Sequence, residues 1–299
     1  MDVRNATVRS RELGDELRGV RQAMGIDAKE LAARIGWSPA KMSRIELGKS
    51  GCSEIDAAIY LGFLRIPRED ISRIIALCTG DEDGSWLRHH GQRLPDELRT
   101  LVLHETIASS IFALELNRID GLLQTEDYTR AMMRESGLIP DSGIEPRVQA
   151  RKERQTLLRR ISPPDITFYI HEHALRLPVG GNQVMHEQML ELVFRSQRPC
   201  CTIRVIPAAA GAHAGLGGPF RMMRFEEHHP VICLETQNRS LFLESVTDIA
   251  TYQLILGGLA DVALNAEESR SMLVALASEY DRPGADNDAD NVAQEQLQR

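Results

Sequence analysis

Residues 27–49 constrain the fold of this chain more than any other stretch of its sequence. Asp27 stands directly before a run of apolar residues at helical spacing, which is the usual place of a helix N-cap. Gly36 is positioned to end that run in a left-handed conformation. Ser38 then offers a second N-cap, and Pro39 suits a first helical turn because its missing N–H would have no partner there. The stretch therefore predicts two short helices joined by a tight turn.

The second predicted helix has an apolar side and a side of small, basic and hydroxyl residues. Met42 and Ile45 are spaced to point inward, and the other side chains point outward. Two helices about a glycine turn, with such an outer face on the second, are the layout of a helix-turn-helix that reads the major groove of DNA. The outward side chains that we predict to contact DNA are Ser38, Ala40, Lys41, Ser43 and Arg44, with Lys49 and Arg34 placed on phosphates. The alternative is a helix face that is only solvated.

Further helical segments flank this motif. Apolar spacing predicts helices over residues 12–24, 53–64 and 66–78. In the second of these, Ile55, Ile59 and Phe63 recur four residues apart, which marks the apolar side of that helix. Five short helices in a segment of this size can fold on their own, so we predict an all-α domain over residues 1–78.

Residues 12–78 resemble the XRE (lambda-repressor-like) helix-turn-helix domains. The resemblance rests on the motifs L-x-x-x-R, G-x-x-x-x-E-L-A, G-W-S and S-R-I-E-x-G. It implies a DNA-binding regulator in which Arg21 and Glu46 form a structural ion pair. Ala28 stands where the family frequently has Gln, which removes one usual phosphate contact.

The charge of the chain is unfavourable for DNA binding by a single copy. Residues 1–75 hold 13 Lys and Arg against 11 Asp and Glu, and the whole chain has a net charge of −8. Neutralisation of phosphates supplies most of the non-specific affinity for DNA, and one weakly basic domain supplies little of it. We therefore predict a homodimer that presents two recognition helices to a palindromic operator.

The pattern changes after the helical domain. We predict a linker over residues 79–100, which contains the acidic and turn-rich sequence TGDEDG, an α+β domain over 101–280, and a disordered tail over 281–299. Strands are predicted at 110–117, 166–171, 202–208, 220–225, 231–235 and 241–243, and helices at 125–135, 145–161, 183–198, 245–264 and 266–280. Several strands in succession favour a mixed or antiparallel sheet over a doubly wound one.

The second domain carries a resemblance of its own. Its motifs are GLLQTEDY (121–128), R-x-x-A-R-x-x-R-Q (147–155), HEHALRLPVG (171–180), VIPAAAGAHAGLGGPF (205–220) and EESR (267–270). In this order they are similar to the C-terminal domain of actinobacterial XRE regulators of the WhiJ type. That resemblance implies a transcription factor often encoded beside a small partner protein, as in an antitoxin-like pair. The family usually has Val-Pro-Gly where this chain has Ile119-Asp120-Gly121, so the rigidity that proline gives this loop is lost.

We predict that the second domain senses a ligand and is not an enzyme. The candidate effector pocket consists of Arg176, His171, His213 and Glu235. His171 and His173 would share a face if both lay on one strand. The sequence has no H-E-x-x-H motif, no cysteine cluster and no nucleophile elbow, so we predict no metal and no cofactor.

A basic run offers a second charged surface in this domain. Its members are Arg147, Arg151, Lys152, Arg154, Arg159 and Arg160. A solvated face with packing beneath it is favoured over direct binding of phosphate or an acidic ligand.

The expected location is the cytoplasm. The charged N-terminus has no apolar core of a signal peptide, and no apolar run reaches the roughly 18 residues of a membrane span. The five cysteines follow no zinc or disulfide spacing, which favours reduced thiols.

Three classes of function remain open. The favoured one is a dimeric DNA-binding regulator controlled by a ligand in its second domain. The second is an antitoxin-like regulator controlled by a small protein partner without a small-molecule ligand. The third is an enzyme with a DNA-binding appendage, which would need a cleft with converging polar groups.

Overall fold

The computed structural model describes residues 7–79, 85–89, 94–237 and 239–282. The chain divides into two compact units. The first comprises Met1–His89, Glu227–Ile232 and Thr236–Ile249, and the second comprises His90–Glu226, Cys233–Glu235 and Ala250–Arg299. The predicted disordered tail lies, from residue 283 onward, outside the described residues.

The first unit contains the predicted helical domain. Its helices are α1 (Val8–Ala23), α2 (Ala28–Arg34), α3 (Pro39–Glu46), α4 (Glu54–Phe63) and α5 (Arg68–Ile75). The cap chemistry predicted from sequence is present, since Asp27 Oδ1 accepts from the Lys29 N–H at 2.8 Å and Ser38 Oγ accepts from the Lys41 N–H at 3.2 Å. Gly36 has a φ of 73° and ends α2 in the left-handed conformation. The predicted helix-turn-helix fold is confirmed.

Apolar side chains from α1 to α5 share one core. Leu17, Leu31, Met42 and Ile45 are buried in it, and Trp37 in the turn packs beside Tyr60 with ring centroids 5.9 Å apart. Because helices this short are marginal in isolation, burial of these faces stabilises them. The orientation of α3 is therefore fixed by the core beneath it.

The apolar face predicted for α4 is the wrong one. Ile55 is 74% exposed, and Ile59 and Phe63 are also exposed. The core is contacted instead by Tyr60 and Leu61, which lie on the other side of the same helix. Both sides of α4 carry apolar residues, so spacing alone could not identify the buried side.

At Gly14, α1 lies close to the backbone at the end of α3. A Cβ atom added there would lie 2.4 Å from the carbonyl oxygen of Ile45 and 2.8 Å from the backbone nitrogen of Gly48. We expect Gly14→Ala to lower the free energy of unfolding by about 1–3 kcal/mol, because the obstructing atoms are backbone. Gly19→Ala in the same helix is the control: it meets nothing within 4 Å and is expected to stabilise by about 0.5–1 kcal/mol. Equal effects in urea denaturation would contradict the packing described here.

The linker predicted over residues 79–100 is too long, because part of this range forms a strand and the start of a helix. Ser85–His89 form strand β1, and a helix, α6 (Leu94–Ile107), begins before the predicted linker ends. Strand β1 pairs in antiparallel fashion with β7 (Arg239–Leu243), and Trp86 lies 5.9 Å from Phe242 between ring centroids. This strand was missed because its partner is distant in sequence.

The described strands form a mixed sheet of seven strands in the order β1-β7-β6-β5-β2-β3-β4. The other strands are β2 (Ser110–Glu115), β3 (Asp165–His171), β4 (Cys201–Ile206), β5 (Phe220–Arg224) and β6 (Val231–Glu235). Strand β2 runs parallel to β3 and antiparallel to β5, and β3 runs parallel to β4. All six strands predicted from sequence are present, and the predicted α+β class with a mixed sheet is confirmed.

Helices of the second part of the chain accompany this sheet. They are α7 (Glu126–Glu135), α8 (Ile144–Arg154), α9 (Glu172–Arg176), α10 (Gly181–Arg195), α11 (Val246–Val262) and α12 (Ala266–Tyr280). Helix α9 was not predicted, and the predicted helix 145–161 ends at Arg154 before a short 3-10 turn. Among the described helices none alone has the length and hydropathy to span a membrane, although α11 and α12, bent by 67° at their break, meet both criteria together.

Candidate DNA-binding surface and C-terminal charge cluster

The outer face of α3 presents the predicted recognition residues. Ser38, Ala40, Ser43 and Arg44 are exposed. Within the described part of the chain, the Arg44 guanidinium has no ion pair or hydrogen bond. A free guanidinium beside a hydroxyl on a capped helix can donate to the edges of bases.

Lys41 has a local partner that the sequence did not reveal. Its Nζ lies 2.8 Å from Asp56 Oδ1 and 4.4 Å from the centroid of the Trp37 ring. An ion pair and a cation–π contact restrain this side chain, each by about 0.5–1 kcal/mol. Lys41 must leave these contacts to reach a base, so Ser43 and Arg44 become the stronger candidates for base contact.

The two predicted phosphate contacts are exposed and paired. Arg34 lies 2.5 Å from Glu30 Oε1, and Lys49 Nζ lies 2.9 Å from Glu227 Oε2. Ion pairs on the surface contribute little to stability and are screened by salt. Both cations can therefore exchange a carboxylate for a phosphate.

Arg21 and Glu46 form a bidentate ion pair beneath this surface. The guanidinium donates to both carboxylate oxygens at 2.7 Å and to the carbonyl of Ile26 at 2.7 Å. The Tyr60 hydroxyl donates to Glu46 Oε1 at 2.6 Å, and burial, with the added effect of Glu46, raises the pKa of Tyr60 above its usual range. These contacts join α1, α4 and the C-terminal end of α3, so they hold the recognition helix on the core.

The four residues of the predicted effector pocket lie in separate sets of contacts. His171 stacks on His213 with ring centroids 5.7 Å apart. Arg176 pairs with Glu172 and Glu279, and Glu235 lies 3.8 Å from the guanidinium of Arg118. His171 directly precedes Glu172, the partner of Arg176, whereas the partner of Glu235 is Arg118.

Each ring of the histidine pair accepts a hydrogen bond from a nearby backbone N–H. His171 Nδ1 accepts from the His173 N–H at 3.0 Å, and His213 Nδ1 accepts from the Gly215 N–H at 3.1 Å. A neutral ring that accepts at Nδ1 carries its proton on Nε2, which leaves no free lone pair there for a metal. Strand β3 ends at His171 and His173 lies in helix α9, so the two residues do not share a strand face.

The second unit contains a buried network of ion pairs. Arg154 donates to both oxygens of Glu105 at 2.7 Å. Arg221 Nη1 lies 2.7 Å from Glu105 Oε1, and its Nη2 donates to Asp120 Oδ2. All four side chains are buried. Arg154 therefore belongs to the interior and is not part of the solvated face predicted for the basic run.

Asp120, which stands where the resembled family usually has proline, stabilises the loop around residues 119–121. Its Oδ1 accepts from the Leu122 N–H at 2.8 Å, while its other oxygen binds Arg221. Gln124 Nε2 donates to the carbonyl of Ile119 at 2.6 Å, and Gln155 Nε2 donates to that of Gly121 at 2.9 Å. Side-chain hydrogen bonds thus hold this loop where proline would restrict the backbone.

A small cleft opens at one end of the buried network. Its lining residues are Glu115, Arg118, Pro219, Phe220, Arg221, Cys233 and Glu235. Its enclosed volume is about 10 Å³, which is room for about one water molecule and far below the ~300–1,000 Å³ of pockets that take drug-sized ligands. Burial, opposed by Arg118, raises the pKa of Glu115 to about 7. Only Glu235 of these residues was among the predicted pocket residues. Arg221 could have been suspected, because it interrupts the apolar strand β5.

Two family models match this chain. Residues 12–78 match a model described as a helix-turn-helix domain, and residues 98–274 match one described as a domain of unknown function (DUF5753). No curated protein and no solved structure shows significant similarity. Among the described residues, no group of three or more His, Cys, Asp or Glu side chains could hold a metal ion.

Proposed function

The chain belongs to the family defined by the domain of unknown function DUF5753, and from that premise we propose that it is a homodimeric regulator of transcription whose DNA binding is controlled through its C-terminal domain. Its N-terminal helix-turn-helix domain supports a DNA-binding regulator. The observation that carries the proposal is the exposed pair Ser43 and Arg44 on the capped helix α3. Arg21 and Glu46 support this helix from below, which gives the pair a fixed position.

Recognition of a palindromic operator by two copies is the second part of the proposal. Residues 1–75 hold 13 Lys and Arg against 11 Asp and Glu, so one copy supplies little net positive charge to the phosphates and two copies are needed. The exposed apolar residues Ile55, Ile59 and Phe63 on α4 are consistent with self-association through this domain.

Effector control at the C-terminal domain is the third part. The DUF5753 match extends over residues 98–274, which is far more chain than a dimerisation segment requires. We propose a regulator of the actinobacterial WhiJ-like XRE type, acting in the cytoplasm and without enzymatic activity. Control by a small protein partner is the alternative, and co-purification of a small neighbouring gene product in place of a ligand would favour it.

Footprinting on the DNA upstream of its own gene tests this proposal. We expect protection of two half-sites centred about 10 base pairs, or a multiple of that, apart, because two recognition helices related by a two-fold axis enter successive major grooves. Sedimentation of the protein with and without that DNA measures the number of copies. Protection of a single half-site by a monomer would contradict the dimer, and the absence of any protected site would contradict the proposed operator.

A further inference from the structure

We propose that Cys52 and Cys78 are an oxidation site of the helix-turn-helix unit, where hydrogen peroxide joins their sulfur atoms in a reversible disulfide. Cys52 directly precedes Ser53, the N-cap of α4, and Cys78 lies just beyond Ile75, the last residue of α5. Both cysteines belong to the first unit, and both thiols are free in the structure. The proposal goes beyond the DNA binding proposed above and does not depend on it.

The fold brings these cysteines together although α4 and α5 lie between them in the chain. The two helices are joined by a short connection and pack against each other, so the start of α4 and the end of α5 are neighbours. Cys52 is buried in the helical core, and Cys78 packs against the same core. The Cys52 thiol donates a hydrogen bond to the sulfur of Cys78. Small side-chain rotations can therefore bring the sulfurs within bonding distance.

The two thiols differ in reactivity. The hydrogen bond from Cys52, helped by the nearby Arg9, lowers the pKa of Cys78 below its usual range against the effects of burial, Glu54 and Asp56. The same hydrogen bond, together with burial, raises the pKa of Cys52. Because the thiolate is the nucleophile, Cys78 is the thiol that reacts first.

Exposure to solvent assigns the same roles. Cys78 is half-buried, so a small oxidant can reach it, whereas Cys52 is 7% exposed. Cysteines that sense oxidants combine a lowered pKa, access to solvent and a second thiol close by. Cys78 has all three properties, and Cys52 is the second thiol. In a reducing compartment such a disulfide is transient, which suits a sensor better than a structural bond.

The oxidation is balanced by one molecule of hydrogen peroxide. The Cys78 thiolate attacks one peroxide oxygen: an S–O bond forms, the O–O bond breaks, and the hydroxide released leaves as water after taking a proton. The Cys52 sulfur then attacks the sulfur of the Cys78 sulfenic acid. The S–S bond forms, the S–O bond breaks, and hydroxide leaves as a second water with the Cys52 proton. The thiols together lose two electrons, and the peroxide accepts them.

The second unit contains the other three cysteines, which serve as internal references. Burial raises the pKa of Cys201 to about 12 and that of Cys233 well above its usual range. Both are almost completely buried, so they should react slowly. Cys200, directly before β4, is half-buried like Cys78 and provides the matched comparison.

The test treats the reduced full-length protein with a small molar excess of hydrogen peroxide. We expect two of the five thiols to be lost and then recovered with dithiothreitol. Mass spectrometry of a digest made without reductant should show the peptides of Cys52 and Cys78 linked. Retention of all five thiols, a disulfide between other cysteines, or oxidation of Cys78 without a link to Cys52 would overturn the proposal.

Three serine variants separate the roles of the thiols. Cys78→Ser should form no disulfide and should lower the rate of thiol loss at least tenfold, because Cys52 is a poor nucleophile. Cys52→Ser should leave a sulfenic acid on Cys78, which dimedone traps. Cys200→Ser should form the disulfide at the wild-type rate. Thermal melts confirm that each variant folds. Equal rates in Cys78→Ser and wild type would refute the assigned order of reaction.

The disulfide should stabilise the helix-turn-helix unit, because it closes the chain segment 52–78 and restricts the unfolded state. Trp37 belongs to the same core as Cys52, so its fluorescence follows this unit on heating. We expect the oxidised protein to melt about 5–10 °C above the reduced protein. Peroxide-treated Cys78→Ser is the control and should show no rise. A lower melting temperature of the cross-linked protein would show that the thiols are not arranged for this bond and would contradict the proposal.

Discussion

Replacing Glu46 by Ala is expected to lower the free energy of unfolding of the helix-turn-helix unit by about 3–5 kcal/mol. The substitution would leave the guanidinium of Arg21, a residue that is 9% exposed, without its carboxylate partner. It would also deprive the Tyr60 hydroxyl of the acceptor that it contacts at 2.6 Å. Both buried groups would lose partners at once, which is the situation in which removing one member of an ion pair costs most.

Urea denaturation followed by tryptophan fluorescence measures this effect. Trp37 lies in the turn between α2 and α3, so its signal reports on the helix-turn-helix core, and Trp86 belongs to the same unit. Glu30→Ala is the control, because its pair with Arg34 is exposed and should contribute less than about 1 kcal/mol. If the two variants lost similar amounts of stability, the Arg21–Glu46 pair would not have the structural role described here.

A loss of similar size, about 3–5 kcal/mol, is expected for Glu105→Gln in the second unit. Glu105 bridges Arg154 and Arg221, and its side chain is 1% exposed. The amide can accept but carries no charge, so two buried guanidinium groups would share one remaining carboxylate, that of Asp120. Because the network joins α6, α8 and β5, we expect the loss of stability to extend to the sheet.

The second unit holds no tryptophan, so its unfolding is followed by circular dichroism and by hydrogen exchange of the β2 and β5 amides. Glu145→Gln provides the control: Glu145 binds Arg130 at 2.6 Å, but both side chains are far more exposed than Glu105. The expected cost there is below about 1 kcal/mol. Wild-type stability in Glu105→Gln would show that the network contributes nothing to the fold of this unit.

The helix-turn-helix could be predicted because its signals are local. Asp27 and Ser38 cap helices within three residues of themselves, and Gly36 ends a helix by its own conformation. The contact between Lys41 and Asp56 could not be predicted, because these residues meet only after α3 and α4 pack. The buried side of α4 could not be predicted either, because Ile55 and Leu61 are both apolar and only packing decides which of them is buried.

In the C-terminal domain, strands could be predicted but the site could not. Alternation along β2 or β3 indicates a strand without reference to its partners. The charged cluster depends on which strands are neighbours, and no pattern within one strand places Arg221 beside Asp120, 101 residues earlier in the chain. The predicted pocket grouped His171 with Glu235 by residue type, whereas the fold gives each its own partners.

The central claim is that the outer face of α3 reads DNA, and Arg44 tests it most directly. Binding of wild type and Arg44→Ala is compared by gel shift on the DNA upstream of the gene and on a scrambled sequence. Loss of a good base contact costs about 1–3 kcal/mol per recognition helix, so we expect at least a fivefold loss of affinity for the upstream site and little change for the scrambled one. Arg68→Ala removes an equal charge from the exposed start of α5 and should weaken both DNAs alike and slightly. Equal binding of the upstream site by wild type and Arg44→Ala would contradict the account.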